Sequence, residues 1–227
     1  MKKIDKEKII EGLNSSDPIE RENALEALQE RGPIVPFSEV EKLAEDSDEF
    51  VRSAFLETIC VYGKEAVHKF AFEALSDPDE LIRIIAAECL SDFPPPVERL
   101  DEIIVHLDDP DPIVRGYVAA IFGGVGGERS VKILEDKLID EKDNAARIGF
   151  LSTLCLLGED YPIEEICSML ESGDHNDRCA AANTLGAFFE GSEDLNITEI
   201  LQSALAAEDT VDGGEAIEGA ILSINTA

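Results

Sequence analysis

Three aspartates crowd one predicted turn, at Asp108, Asp109 and Asp111. Carboxylate oxygens gathered in a turn are the ligands that Ca²⁺ prefers. The EF-hand frame is missing, however, because its glycine and its twelfth-position glutamate do not follow. We therefore predict no metal site here and look for a structural role for these residues.

The histidines and cysteines do not form a metal-binding pattern. His68, His106 and His175 fall at unrelated phases and have no partner at the spacing of a zinc site. All five cysteines lie within apolar helical runs, where a free cysteine behaves as a small buried hydrophobic residue. They are Cys60, Cys89, Cys155, Cys167 and Cys179. We predict that none has a metal-binding or redox role.

Catalytic motifs are also missing from the sequence. The glycine-rich stretch 123–127 follows a predicted helix and lacks the Gly-Lys-Ser/Thr ending of a phosphate-binding loop. No serine, cysteine or threonine has the local signature of an activated nucleophile. The sequence thus predicts a protein that is not an enzyme, with no catalytic residues and no cofactor.

The charge of the chain is strongly one-sided. Fifty acidic residues against nineteen basic residues give a net charge of -31. Binding to nucleic acid or to an anionic membrane requires Lys and Arg to neutralise phosphate, so neither partner is expected. The charge favours a basic protein partner, while solubility or life in a salty cytoplasm is the alternative explanation.

The compartment is inferred from the start of the chain and from hydropathy. Residues 1–8 include lysines, but no apolar segment of a signal peptide follows them. No apolar run approaches the length of a membrane span. We expect a cytoplasmic protein.

A repeat organises almost the whole sequence. Arginines recur at intervals of 31 or 32 residues, each preceded four residues earlier by an aspartate. The arginines are Arg21, Arg52, Arg83, Arg115, Arg147 and Arg178, and the aspartates are Asp17, Asp48, Asp79, Asp111, Asp143 and Asp174. A leucine lies eight or nine residues before each arginine, and a large apolar residue lies seven residues after it. Such matched columns indicate a repeat protein.

Each unit has room for two helices of roughly ten residues. In the first unit, residues 6–13 are predicted to form the first helix, and Asp17 is a natural N-cap for the second. Pro18 occupies the first helical position, where proline is well tolerated. Residues 197–227 form a degenerate seventh unit, in which Leu205 and Asp209 keep the frame and Gly213 replaces the arginine, as expected of a terminal cap.

This pattern resembles the HEAT-like repeats, particularly the short type of the phycobilin lyases. The stretch 75–90 matches that pattern most fully, and the resemblance covers about residues 5–225. It implies an all-α, right-handed α-solenoid of about seven two-helix repeats, which we interpret as one domain over residues 1–227. It also implies that the second helices line a concave face and that the Asp and Arg columns form a hydrogen-bonded ladder between adjacent units.

The residues that vary between repeats are where we expect a binding surface. Five positions after the arginine, the first three units carry Glu26, Glu57 and Glu88, which predicts a stacked acidic row. Apolar residues on the same helices suggest anchors for a partner. The predicted anchors are Ile84, Ile85, Tyr117 and Ile121, and Asp108 and Asp109 are predicted to extend the acidic surface. Burial of the anchors between repeats is the competing interpretation.

These features favour a protein-binding module for a basic protein. An immunity protein that neutralises a basic, nuclease-type toxin domain fits best, because some immunity proteins are similar to HEAT-like solenoids and a strongly acidic inhibitor associates fast with a basic target. The alternative is a scaffold or regulatory adaptor that binds a peptide or an enzyme subunit. An enzyme similar to the bilin lyases is the least favoured hypothesis.

Overall fold

A computed structural model describes residues 6–226, and every regular element in this range is helical. The thirteen α-helices are α1 Lys6–Leu13, α2 Pro18–Arg31, α3 Glu49–Ile59, α4 Lys64–Ala74, α5 Glu80–Asp92, α6 Leu100–Ile104, α7 Pro112–Val125, α8 Gly127–Leu138, α9 Asn144–Leu156, α10 Pro162–Met169, α11 His175–Phe188, α12 Leu195–Ala207 and α13 Val211–Asn225. Short 3₁₀ segments are Phe37–Glu39, Glu41–Leu43, Cys60–Tyr62, Val97–Arg99 and Val105–Asp108. The start of the chain considered above for a signal peptide lies largely outside the described residues.

The helices divide into two compact units, residues 1–125 and 126–227. Within residues 6–125, α2 packs on α3, α3 on α5, and α5 on α7, so the second helices of four repeats form one layer. In the second unit, α9 packs on α11 and α11 on α13 in the same way. The predicted all-α solenoid of two-helix repeats is confirmed; the interpretation as a single domain stays a prediction.

Two repeats have a shortened first helix. In the second repeat this helix is reduced to the 3₁₀ turns within residues 37–43, and in the fourth it is the five-residue α6 with 3₁₀ turns on both sides. Both segments follow prolines, Pro33 and Pro36 in one case and Pro94–Pro96 in the other. Proline removes a backbone donor and keeps the preceding residue out of the helical region, so little chain is left for a full helix. Apolar side chains still anchor these segments, since Val40, Leu43, Leu100 and Ile103 are buried.

The predicted aspartate caps are confirmed. In each of the six repeats the aspartate carboxylate accepts a hydrogen bond from the backbone N–H two residues later, at 2.8–3.1 Å. These N–H groups have no partner inside the helix, so the cap satisfies them. In the terminal repeat the predicted capping position is wrong by one residue, because Thr210 rather than Asp209 caps α13. Its hydroxyl accepts from Gly213 N at 3.1 Å.

The arginine ladder exists, but its acidic partners are not the capping aspartates. Arg83 Nε and Nη2 donate to Asp109 Oδ2 and Oδ1 at 2.8 and 3.0 Å, and Asp109 lies two residues before the cap Asp111. Arg21 pairs with Asp46, and Arg52 with Asp77, in the same register. The cap carboxylate is bound to the N-terminus of its own helix, and the carboxylate two residues earlier is the one that contacts the arginine of the preceding repeat. The predicted ladder therefore exists, but each acidic partner lies two residues before the capping aspartate that was predicted to form it.

The arginine also closes the turn of its own repeat. In all six repeats the arginine Nη1 donates to the carbonyl oxygen six residues earlier, at 2.7–3.0 Å. In the second unit Arg178 pairs with Glu208, and Arg147 pairs with Glu165 of α10. The residue that would have extended the ladder from Arg147 is Ser172, which has no carboxylate. The arginines thus join consecutive helix pairs within each unit.

The ladder predicts a loss of stability in acid. Burial raises the pKa of Asp46, but hydrogen bonds from Arg21 and from the Asp48 N–H outweigh it, and the net pKa is lowered. A carboxyl group with a lowered folded-state pKa contributes stability above its unfolded pKa of about 4 and loses it as the pH falls through the folded value. We expect Asp46→Asn to be less stable than wild type at pH 7, and this difference to shrink as the pH is lowered from about 5 to 3.

Urea unfolding at a series of pH values measures this difference. Acid also stabilises so acidic a chain by protonating carboxylates that repel each other. This effect is nearly the same in wild type and in Asp46→Asn, so it cancels in the difference between them. The exposed substitution Glu98→Gln serves as the control and should differ little from wild type throughout. A difference between wild type and Asp46→Asn that stays constant down to pH 3 would contradict the prediction.

Candidate functional site

The second helices of the first unit share an exposed strip. On α2, α3, α5 and α7 the position two residues before the arginine and the position five residues after it are seven residues apart. They therefore lie on one helix face, about 10 Å from each other along the helix axis. Because the four helices pack side by side, each position forms a row across the repeats.

The acidic row consists of Glu26, Glu57 and Glu88, and all three are exposed as predicted. Gln29 of α2 reaches across to α3, where its Nε2 donates to Glu57 Oε2 at 3.2 Å and to Thr58 Oγ1 at 3.3 Å. This contact orients the Glu57 side chain. The row is therefore held on adjacent helices and directed toward solvent.

Glu88 has the most perturbed environment in the acidic row. Burial raises its pKa, and the nearby carboxylates of Asp92 and Glu57 raise it further, against the opposing effect of a hydrogen bond with Tyr117. Burial and the charge of Glu88 raise the pKa of Tyr117 in turn. Negative charge is thus concentrated around Glu88, and a cation brought to this place would relieve the repulsion.

A second row on the same strip is apolar, and it was not predicted from the sequence. Ile19, Phe50, Leu81 and Ile113 lie two residues after the aspartate caps and are 63, 59, 51 and 48% exposed. We call these four residues the apolar row. In the second unit the corresponding positions are Ala145, Asn176 and, in the terminal repeat, the exposed Val211, so the unbroken row lies on the first unit. Aligning the residue two after each aspartate would have revealed it.

Most of the predicted apolar anchors are not on the surface. Ile121 is fully buried and Ile85 is 7% exposed, while Ile84 is half-buried. Within the layer α5 packs between α3 and α7, and α7 packs against α5, so Ile85 and Ile121 are covered by the adjacent helices. Tyr117 is the predicted anchor that is exposed, at 38%. The prediction was wrong for Ile85 and Ile121, and burial between repeats is the correct interpretation.

The two remaining predicted acids differ from each other. Asp108 is exposed, as expected of a residue that contributes to an acidic surface. The side chain of Asp109 is only 7% exposed, because it pairs with Arg83. Its carboxylate also accepts from the Asp111 N–H at 2.9 Å. Asp109 is a structural residue, and its assignment to the binding surface is wrong.

Metal sites and membrane spans are the other features that residues 6–226 were expected to lack. Within that range no cluster of three or more His, Cys, Asp or Glu side chains could hold a metal ion. None of the helices described there is long and apolar enough to cross a membrane. The geometry that stands out is the pair of parallel rows, one apolar and one acidic, on the first unit. Such a surface can bind a partner that presents apolar side chains beside basic ones.

Comparison with known proteins gives a family match for the middle part of the chain. Residues 68–154 match the family described as HEAT repeats. No curated protein matches the sequence. Among solved structures, a chain in the complex of CpcE and CpcF of phycocyanin lyase from Nostoc sp. PCC7120 has a TM-score of 0.65 at 17% identity, with 99% of this chain and 96% of that chain covered.

Two further structures are similar to a lesser degree. The archaeal HEAT-like repeats protein from Thermococcus onnurineus NA1 has a TM-score of 0.45 at 15% identity, covering 97% of this chain and 100% of that one. Human deoxyhypusine hydroxylase in complex with glycerol has a TM-score of 0.40 at 16% identity, covering 96% and 95%. Identities this low bear on the fold alone. The capped helix pairs and the arginine ladder belong to an α-solenoid fold, and residues 68–154 of the chain match the HEAT repeats family.

Proposed function

We propose that this protein is a non-enzymatic binding module that holds a basic protein on the exposed strip of its first unit. The observation that carries the proposal is the parallel arrangement of the apolar row and the acidic row on four adjacent helices. Apolar contacts supply affinity at the centre of an interface, and complementary charges supply fast association and orientation. A net charge of -31 extends the attraction beyond the strip.

The partner class we propose is a basic toxin domain of the nuclease type. Nucleases bind phosphate and therefore present basic surfaces, which an acidic inhibitor can cover. In this proposal the protein acts as an immunity protein, and the acidic row approaches the basic active-site region of the toxin. A gene for a toxin domain next to the gene for this protein would support the assignment.

A scaffold or adaptor role is the second candidate, and the exposure of the apolar row favours it. Phe50 and Leu81 could hold an apolar helix or peptide with little help from charge. In this case binding would depend weakly on ionic strength. A lyase-like role rests on a likeness that concerns only the fold, and a test for bound tetrapyrrole colour in the purified protein addresses it directly.

Capture of partners from native cell extract, repeated over a salt series, tests the proposal. The full chain is immobilised, captured proteins are identified by mass spectrometry, and the purified partner is then titrated at about 0.05–0.5 M salt. A basic partner whose affinity falls steeply with salt is expected, because exposed charges are screened over about 10 Å at 0.1 M. A salt-insensitive partner that is lost from Phe50→Ser with Leu81→Ser would support the adaptor role. Capture of no basic protein at low salt would overturn the leading proposal.

A further inference from the structure

The packing of α3 on α5 brings two cysteines together that are far apart in the sequence. Cys60 Sγ and Cys89 Sγ are 3.2 Å apart, across 29 residues of chain. Cys60 follows the last residue of α3, and Cys89 lies in the last turns of α5. Cys60 lies eight residues after Arg52 and Cys89 lies six residues after Arg83, so they come from the facing sides of adjacent helices. Each cysteine was predicted from the sequence as an isolated buried residue, and the pair was not predicted.

We propose that Cys60 and Cys89 form a peroxide-oxidisable site that closes to a reversible disulfide between the second and third repeats. A disulfide bond is about 2.05 Å long, so the two sulfur atoms need to approach by only about 1.2 Å. Small rotations of the two side chains on helices that are already packed can supply this movement. The helices themselves need not separate.

The two thiols have different roles because their environments differ. Cys60 is half-buried and can be reached by a small oxidant, whereas Cys89 is only 4% exposed. The hydrogen bond between the two thiols lowers the pKa of the Cys60 thiol, although burial and the carboxylates of Asp92 and Glu57 act against this effect. The same hydrogen bond and burial raise the pKa of Cys89. Cys60 is therefore the thiolate that reacts first, and Cys89 is the resolving thiol.

The chemistry balances with hydrogen peroxide as the oxidant. The Cys60 thiolate attacks one peroxide oxygen, an S–O bond forms, the O–O bond breaks, and hydroxide leaves. This gives a sulfenic acid at Cys60. Cys89 sulfur then attacks Cys60 sulfur, the S–S bond forms, and the S–O bond breaks. Water leaves with the proton of Cys89, so the two thiols lose two electrons and the peroxide is reduced to water.

The remaining cysteines provide internal controls. Burial raises the pKa of the Cys155 thiol to about 11 and raises the pKa values of Cys167 and Cys179. A smaller fraction of each is therefore thiolate at neutral pH, and all three lie in the second unit. Selective oxidation of Cys60 and Cys89 would therefore distinguish a built site from general thiol oxidation.

Peroxide titration of the reduced full-length protein tests the proposal. We expect the mass to fall by two hydrogens at near-stoichiometric peroxide, with a Cys60–Cys89 crosslink in the peptide map and free thiols at the other three positions. The bond closes a loop of about 30 residues, so the melting temperature should rise by roughly 5–10 °C and return to the starting value with dithiothreitol.

Three variants make the outcome decisive. Cys89→Ser should stop at a sulfenic acid on Cys60 that a dimedone probe traps, and Cys60→Ser should give neither the trap nor the crosslink. Cys167→Ser should behave like wild type. If the crosslink fails to form in wild type, or if peroxide oxidises Cys155, Cys167 and Cys179 as readily, the assignment is overturned. If a serine variant loses its helical circular dichroism signal, the alanine substitution at that position gives the same comparison.

Discussion

Replacing Arg83 with methionine is expected to lower the free energy of unfolding by about 3–5 kcal/mol. The guanidinium donates to both carboxylate oxygens of Asp109 and to the carbonyl oxygens of Asp77 and Pro78. The side chains of Arg83 and Asp109 are 11 and 7% exposed. Without Arg83, the Asp109 carboxylate would remain buried without its cation, and two carbonyl groups would lose a donor. Urea unfolding followed by far-UV circular dichroism measures the loss.

Two comparisons establish that the buried charge is the cause. Lys42→Met breaks the exposed pair between Lys42 and Glu39 and should cost no more than about 1 kcal/mol. The double variant Arg83→Met with Asp109→Leu removes both charges and should recover a large part of the stability, because a buried ion pair can be replaced by apolar packing. A small effect of Arg83→Met alone would show that the ladder contributes little.

Reversing two charges of the acidic row is expected to slow association with the basic partner by about tenfold or more at low salt. The variant combines Glu57→Lys with Glu88→Lys, two exposed residues on adjacent helices. The substitutions remove attraction where negative charge is most concentrated, around Glu88. Both side chains are exposed, so the helical signal should be unchanged. Stopped-flow or surface-based association rates provide the measurement.

The matched control makes the same change of charge elsewhere. Glu215→Lys with Glu218→Lys alters two exposed glutamates of α13 in the second unit. It should reduce the association rate much less, and the difference between the two variants should narrow as salt increases. Equal rates for both variants would place the interface away from the acidic row.

The caps and the repeat frame could be predicted from the sequence because they depend on local contacts. An aspartate cap binds N–H groups two or three residues later, so its geometry is set within one turn of chain. All six helices that follow a predicted aspartate cap begin at the next residue; they are α2, α3, α5, α7, α9 and α11. The terminal repeat differs from the predicted frame because Glu208 is bound to Arg178, and Thr210, two residues later, takes the capping position.

The candidate site was predicted only in part. Glu26, Glu57, Glu88 and Tyr117 are exposed as expected, but Ile85 and Ile121 are buried by the packing of neighbouring helices. The periodicity of one helix indicates which face is opposite its own core stripe. It does not indicate how much of the remaining surface the adjacent repeats cover. The apolar row was overlooked because its members lie in the first turn of each helix, before the arginine, whereas apolar anchors were sought only at positions after the arginine.

The sequence alone was enough to establish the repeat length, the helix caps, the acidic character of the chain and the arginine that recurs in six repeats. These properties come from composition and from contacts within a few residues. The tertiary structure decided which carboxylate pairs with each arginine, which apolar residues remain open to a partner, and that Cys60 meets Cys89. Each of these depends on side chains about 25 to 30 residues apart, and only the stacking of adjacent helices sets their distances.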